Sequence, residues 1–156
     1  MIYSISPEFI AGGNENNLVS HSLKVTSGVV YKVTVWFPYG CAGTTRIAIF
    51  DGNYQCWPTT IGQFFSGSRV KYDFEDTYLK EKPPYEFIIK GYNSDSRNNH
   101  LAYIHIGLVS NEIFMARFLP TYSLEMFQTF LDTLRLEREE REKAILDKPF
   151  DYLEKV

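Results

Sequence analysis

Cysteine is scarce in this sequence, and long apolar runs are missing. Cys41 and Cys56 are the two cysteines among 156 residues, too few for a disulfide scaffold and without the C-x-x-C spacing of a zinc site. They can pair if their strands are neighbours; otherwise they are two half-buried thiols. No stretch is long and apolar enough to span a membrane, and residues 1–10 lack the basic start and apolar run of a signal peptide. We therefore expect a protein that is made in a cytoplasm and has no membrane partner.

An excess of basic residues is also missing. Lys and Arg number 16 against 19 Asp and Glu, which gives a net charge of −3 at pH 7. Proteins that bind phosphate backbones usually carry a basic face, so this balance argues against nucleic acid as the main partner. By contrast, 44% of the residues are hydrophobic, which is enough to build the core of a single domain.

Motifs for catalysis and for cofactor binding are absent from the sequence. The chain has neither a G-x-S-x-G elbow nor a glycine-rich phosphate loop. Asp73, Glu75 and Asp76 form a small acidic cluster, and paired carboxylates can hydrolyse glycosides. Asp73 and Glu75 alternate with apolar residues, however, so the solvated face of a strand is the preferred interpretation.

The histidines do not indicate a metal site either. His21, His100 and His105 are the three histidines of the chain. On one strand, His100 and His105 would point to opposite faces, because an odd number of positions separates them. We therefore expect no metal, no cofactor and no catalytic residue, and we expect that the protein is not an enzyme.

Alternation of apolar and polar residues dominates the sequence between residues 18 and 110. Its clearest case is 29–37, where Val29, Tyr31, Val33 and the following odd-numbered residues predict one face of a long strand. With this segment, about seven such strands lie at short spacing, with turn signals such as Asp51-Gly52 between them. The sequence therefore predicts an all-β domain over 18–110, an antiparallel β-sandwich of jelly-roll or Ig-like type.

The two ends of the chain differ from this central part. Residues 1–17 end in a turn-rich cluster and predict an N-terminal arm or a loose edge strand. Residues 113–119 predict an apolar linker, and Ser123 is a suitable N-cap for a helix that Pro149 would end. We thus predict a linker and a C-terminal α-helical arm over 111–156.

The predicted helix has an apolar stripe that lasts for about two heptads and then gives way to mixed charge. The stripe is compatible with fold-back onto its own domain and with docking onto a neighbouring subunit. We prefer docking, because the apolar linker would otherwise need a cover of its own.

Aromatic residues make up 16% of the chain. Trp36 lies on the polar face of its predicted strand, and Trp57, Phe64 and Phe65 cluster around a long loop. Such rings can stack on sugars, anchor a protein–protein interface, or fold under to cap the core. The candidate interface residues are Trp57, Phe64, Phe65, Phe114, Phe118, Leu124, Phe127, Leu131 and Leu134.

Four parts of the core carry a resemblance to a known class of proteins. They are 33–38 (VTVWFP), 49–58 (IFDGNYQCWP), 83–87 (PPYEF) and the closing strand from His100. Through these, roughly 18–109 resembles small β-sandwich proteins of virus and phage particles, such as capsid decoration (cement) proteins. The resemblance implies a symmetric oligomer on a particle surface without an active site, and it supplies no residue-level site.

Together, the residues and the resemblance predict a non-enzymatic structural or interaction protein, a virion component made in a host cytoplasm. It would oligomerise and dock on a larger assembly such as a capsid through its terminal arms, so its partners would be proteins. The alternative is a carbohydrate-binding β-sandwich module in which Trp36, Trp57 and Tyr39 hold a glycan.

Overall fold

Two antiparallel sheets make up most of the chain. The computed structural model describes residues 1–119, 121 and 123–147, with side chains up to Ala144. The strands are β1 (Ile2–Ile5), β2 (Glu8–Phe9), β3 (Val19–Lys24), β4 (Gly28–Phe37), β5 (Thr45–Asp51), β6 (Tyr54–Trp57), β7 (Phe65–Ser66), β8 (Val70–Lys80), β9 (Glu86–Asn93), β10 (His100–Leu101) and β11 (Tyr103–Val109). The four-stranded sheet has the order β1-β11-β4-β8. The five-stranded sheet has the order β3-β9-β5-β6, with β7 also paired to β5, and β2 pairs separately with β10.

The two sheets pack face to face around one apolar core. Alternate residues of each strand point inward, so Val33 and Ile104 of the four-stranded sheet share a buried cluster with Ile47, Phe87 and Ile89 of the five-stranded sheet. All five side chains are fully buried. The predicted all-β class and the antiparallel sandwich with a C-terminal helix are confirmed.

A β-bulge in β4 changes the face that its first residues join. In its pairing with β11, β4 takes two steps, from Val30 to Lys32, where β11 takes one, from Leu108 to Gly107. An extra residue at such a point moves the neighbouring side chains to the opposite face. Val33 therefore lies in the sandwich core, whereas Val29 lies in a separate cluster. The prediction that Val29 and Tyr31 share a face with Val33 is wrong for this reason.

The N-terminal residues belong to the sandwich. β1 pairs with β11 along its whole length, from Ile2 opposite Gly107 to Ile5 opposite Ile104. Phe9 in β2 is fully buried in the main core. The edge-strand alternative for 1–17 is therefore correct for 2–5, and Phe9 is a core residue that the alternation did not indicate.

Two helices follow the last strand. Helix α1 (Asn111–Phe118) occupies most of the predicted linker, and the Ser110 hydroxyl caps it by accepting a hydrogen bond from the backbone N–H of Ile113. Helix α2 (Leu124–Asp147) begins after Ser123, as predicted. The predicted end of this helix at Pro149 lies outside the described residues.

Both helices pack against β8 and the adjoining ends of β4 and β11. We call the buried cluster that joins them to the sandwich the helix-facing cluster, and it consists of Val29, Leu79, Val109, Phe114, Phe127 and Leu131. The bulge in β4 leaves Val29 outside the main core, so this apolar end of the sheet needs a cover, and the helices supply it. Within the single chain, the structure therefore shows that α2 folds back onto its own domain. The docking on a neighbour that we preferred from the sequence stays a prediction.

We expect Phe127→Ala to lower the free energy of unfolding by about 3 kcal/mol, because the substitution leaves a cavity in the helix-facing cluster. Gln128→Ala is the control on the same helix, since Gln128 is exposed, and its effect should stay below about 0.5 kcal/mol. Urea unfolding followed by circular dichroism measures both values. Equal effects of the two substitutions would contradict the packing of α2 on the sandwich.

Candidate functional site

The carboxylate of Asp51 joins the two sheets to helix α2. Asp51 ends β5, and its Oδ1 accepts a hydrogen bond from Lys80 Nζ at 2.6 Å. Its Oδ2 accepts hydrogen bonds from the Tyr78 hydroxyl at 2.8 Å and from Arg138 Nη2 at 3.1 Å. Lys80 and Tyr78 belong to β8, and Arg138 belongs to α2. One carboxylate therefore holds three elements of the fold together, and we call these four residues the Asp51 cluster.

Because the Asp51 cluster is buried, each of its charged groups needs a partner within the cluster. Lys80 is only 1% exposed, and a buried ammonium without an anion would be strongly destabilising. Burial also raises the pKa of Tyr78, so its hydroxyl stays protonated and donates to Asp51. Arg138 uses its second terminal nitrogen to donate to the backbone oxygen of Leu79 at 3.1 Å. These contacts fix the position of α2 on the sandwich.

The aromatic loop folds under and caps the core. Trp57 is 2% exposed and donates through Nε1 to Asp76 Oδ2 at 2.6 Å. Phe65 lies in β7 and packs on Tyr72, and Phe64 packs on Tyr92, so both are only half-exposed. Trp57 in particular cannot contact a partner unless the sandwich opens.

The interface candidates on the helices divide into two groups. Phe114, Phe127 and Leu131 are buried in the helix-facing cluster, and Leu134 is partly buried beside it. Phe118 and Leu124 remain exposed, at 40% and 63%. Three further large apolar side chains of the helices are exposed as well, and they are Ile113, Met126 and Leu136.

An open groove lies on the outer face of the four-stranded sheet. It has a volume of about 530 Å³. The side chains opposite the core in β4 and β11 form its floor, and we call it the outer groove. Its lining residues are Ile2, Tyr31, Lys32, Thr34, Trp36, Lys71, His105 and Gly107.

Aromatic rings stand at both ends of the outer groove. Trp36 is 42% exposed and stacks on Tyr103, its partner on β11, with ring centroids 4.9 Å apart. At the other end, the Tyr31 ring lies over Gly107, where an added Cβ would come within 2.7 Å of the ring. Phe118 of α1 packs on Tyr31 at 5.6 Å, so the first helix borders this end of the groove.

Hydrogen-bonding groups lie between these rings. Thr34 Oγ1 donates to Asp73 Oδ1 at 2.9 Å, and the Lys32 and Lys71 ammonium groups each lie 3.2 Å from an oxygen of the same carboxylate. These three contacts lower the pKa of Asp73, with the hydrogen bond from Thr34 as the largest cause. Nδ1 of His105 is 2.8 Å from the Ser4 hydroxyl, which leaves Nε2 for other partners.

The structure does not assemble the glycan platform that the sequence suggested. Trp36 is exposed on the outer face as expected, and Tyr39 is 84% exposed in the loop after β4, but Trp57 lies in the core. Sequence reasoning also missed Tyr103, which is brought next to Trp36 by the pairing of β4 with β11. Only the register of two strands distant in sequence could have revealed this neighbour.

The acidic cluster and the histidines lie within ordinary strand and loop contacts. Asp73 sits on the outer face of β8, and His100 Nε2 lies 3.0 Å from Asp95 Oδ2 in a loop. Among the residues that the structure describes, no group of three or more potential ligands is placed to hold a metal ion. Cys41 and Cys56 are both buried and both free, so the considered disulfide is not formed. None of the described helices is long and apolar enough to cross a membrane.

Comparison with known proteins does not place the chain in a family. No family model matches it, and no curated protein or solved structure gives a significant match. The fold and the geometry of its surfaces are therefore the basis for any functional proposal.

We expect Asp51→Asn to lower the free energy of unfolding by about 3 to 5 kcal/mol, because the substitution leaves the buried Lys80 ammonium without its anion. Asp132→Asn, which removes an exposed ion pair with Arg135 on the same helix, is the control and should change stability by less than about 1 kcal/mol. Urea titration gives both values. A small effect at Asp51 would show that the cluster does not anchor the helix.

We also expect both thiols to resist modification in the folded protein. Burial raises the pKa of Cys41 above its ordinary value of 9.0 and that of Cys56 to about 12, so neither forms the reactive thiolate readily at pH 8 to 9. Ellman's reagent should therefore react only as the protein unfolds, whereas a Tyr39→Cys variant should react at once. Rapid reaction of an original thiol in the folded protein would contradict this burial.

Proposed function

We propose that the chain is a non-enzymatic structural protein that associates with further copies of itself and docks on a larger particle, in the manner of a capsid decoration (cement) protein. The observation that carries the proposal is the set of exposed large apolar side chains on the two helices. The resemblance of the sandwich sequence to particle proteins supports the same assignment.

Three of the five exposed large apolar residues of the helices lie near the start of a helix. Leu124 and Met126 lie in the first turn of α2 and are 63% and 54% exposed, and Ile113 lies in the first turn of α1 and is 51% exposed. Leaving such side chains in water is unfavourable, and burial stabilises each by about 1.5 to 3 kcal/mol. Surface residues of this kind are typical of a protein–protein contact.

A second copy of the chain is the occupant that suits this surface best. An apolar patch is complementary to itself, as a two-fold symmetric interface requires. The later part of α2 carries acidic and basic residues in similar number, including Glu137, Glu140, Arg141 and Lys143, so two such surfaces need not repel each other.

The anchoring of α2 also favours a rigid contact surface over a flexible arm. The Asp51 cluster and a bidentate contact of Arg135 with Glu81, at 2.9 and 2.5 Å, hold the helix in place before any partner binds. A contact surface that is already ordered avoids the entropic cost of ordering an arm during assembly.

Light scattering of the purified chain tests the proposal. We expect a defined oligomer, and we expect the double variant Leu124→Glu, Met126→Glu to raise its dissociation constant about tenfold or more, because two apolar contacts are replaced by charge. Ile10→Glu is the matched control, since Ile10 is 65% exposed but lies outside the helices.

The possible outcomes separate clearly. A monomer for the original chain at high concentration would overturn self-association as the task of this surface. An oligomer that the double variant leaves intact would overturn the helical layer as its interface. Substitutions are preferable to truncation at Ser110, because removal of the helices would expose Val29 and Leu79.

A further inference from the structure

The outer groove has a composition that the proposed assembly through the helices does not require. We infer that it is a saccharide-binding site that prefers sugars carrying a carboxylate. The outer groove and the exposed apolar residues of the helices are different surfaces, so either proposal can fail without the other.

The indole of Trp36 offers the stacking surface. Tyr103 covers one face of the ring at a centroid distance of 4.9 Å, so the other face and the exposed edge are open to a ligand. The neighbour of Trp36 on that side is Lys71 of β8, and its ammonium is drawn away to Asp73 at 3.2 Å. The apolar C–H face of a pyranose packs well on a flat aromatic ring whose surroundings are polar.

The floor of the outer groove offers partners for sugar hydroxyl groups. Thr34 is only 7% exposed but lines the outer groove, and its Oγ1, which donates to Asp73, can still accept a hydrogen bond from a hydroxyl group. The His105 ring is held through Nδ1 by the Ser4 hydroxyl at 2.8 Å, so Nε2 is positioned for a ligand. Because both side chains are fixed by neighbours, little side-chain entropy is lost when a sugar binds.

The charge of the outer groove favours an acidic sugar. Lys32 and Lys71 both line the outer groove and share the carboxylate of Asp73, whereas Glu75, which lies opposite Lys32 in the strand register, lines a different pocket. Both lysine side chains are about half-exposed, at 46% and 57%, and so can turn towards an incoming anion. A carboxylate on a sugar stacked at Trp36 would lie beside Lys71, which is farther from Glu75 than Lys32 is.

The length of the outer groove fits a short oligosaccharide. Lys32 and Trp36 lie four residues apart on β4, which corresponds to roughly 13 Å along a strand. A nucleic acid fits less well, because the outer groove is lined by two lysines, whereas proteins that bind phosphate backbones usually carry a broad basic face. Single-stranded nucleic acid is nevertheless a suitable competitor in the test, since it also stacks on exposed rings.

A glycan array with uronic-acid, sialylated and neutral oligosaccharides, probed with the full chain, is the first experiment. We expect binding among the carboxylate-bearing glycans. Calorimetry of the strongest array ligand then compares Trp36→Ala with Tyr39→Ala, which removes an exposed ring outside the outer groove. The first substitution should weaken binding about tenfold or more, and the second should leave it unchanged.

A second pair of variants tests the charge preference. Lys71→Gln should weaken binding of the acidic glycan about fivefold while leaving a neutral analogue of the same sugar unaffected. Lys82→Gln, which removes an exposed lysine remote from the outer groove, should change neither. The buried Trp57 reports by its fluorescence that each variant is folded.

Each remaining outcome overturns a defined part of the inference. Silence of the whole array overturns the saccharide site. Equal binding of acidic and neutral glycans overturns the preference for a carboxylate. Tighter binding of a single-stranded oligonucleotide than of any glycan, with the same loss in Trp36→Ala, would reassign the outer groove to nucleic acid.

Discussion

The carboxylate of Asp51 is the contact on which the arrangement of this protein depends. It receives hydrogen bonds from Lys80 and Tyr78 of one sheet while belonging to the other, and from Arg138 of the C-terminal helix. An apolar core alone tolerates sliding between its layers, whereas a buried charged group is satisfied in one geometry only. The two sheets and the helix therefore meet at one buried charged group, and the position of the exposed apolar residues of α2 depends on it.

The bulge in β4 divides the outer surface of the four-stranded sheet into two parts. On one side of the bulge, Val29 turns away from the main core and is covered by the helices. On the other side, Lys32, Thr34 and Trp36 alternate with core residues and line the outer groove, where Lys32 and Trp36 are exposed. Tyr31 marks the boundary between the parts, because it packs on Phe118 and also lines the outer groove. A change of one residue in register thus creates a covered half and an open half.

The sequence predicts the parts of this fold that depend on local pattern. Alternation gave the strands and the core face of Val33 and Val35, and Ser123 gave the start of α2. It did not give the role of Asp51, because Asp51-Gly52 has the pattern of a hairpin turn, and the turn is indeed present between β5 and β6. Nor did it give Arg138, which belongs to the charged part of the predicted helix but reaches the buried carboxylate. Such roles follow from partners that are distant along the chain, as does the pairing of Trp36 with Tyr103.

The pairing of β1 with β11 has a consequence for the order in which the protein can be completed during synthesis. Strand β1 pairs with β11, the last strand, so the hydrogen bonds between them can form only after almost the entire sandwich has been synthesised. Lys80 and Asp51 meet earlier, but Arg138 joins them only after both helices have been made. Contacts so remote along the chain slow folding, and the growing chain passes through a stage in which Val29 and Leu79 are uncovered. This stage is where a molecular chaperone would find an apolar surface to bind.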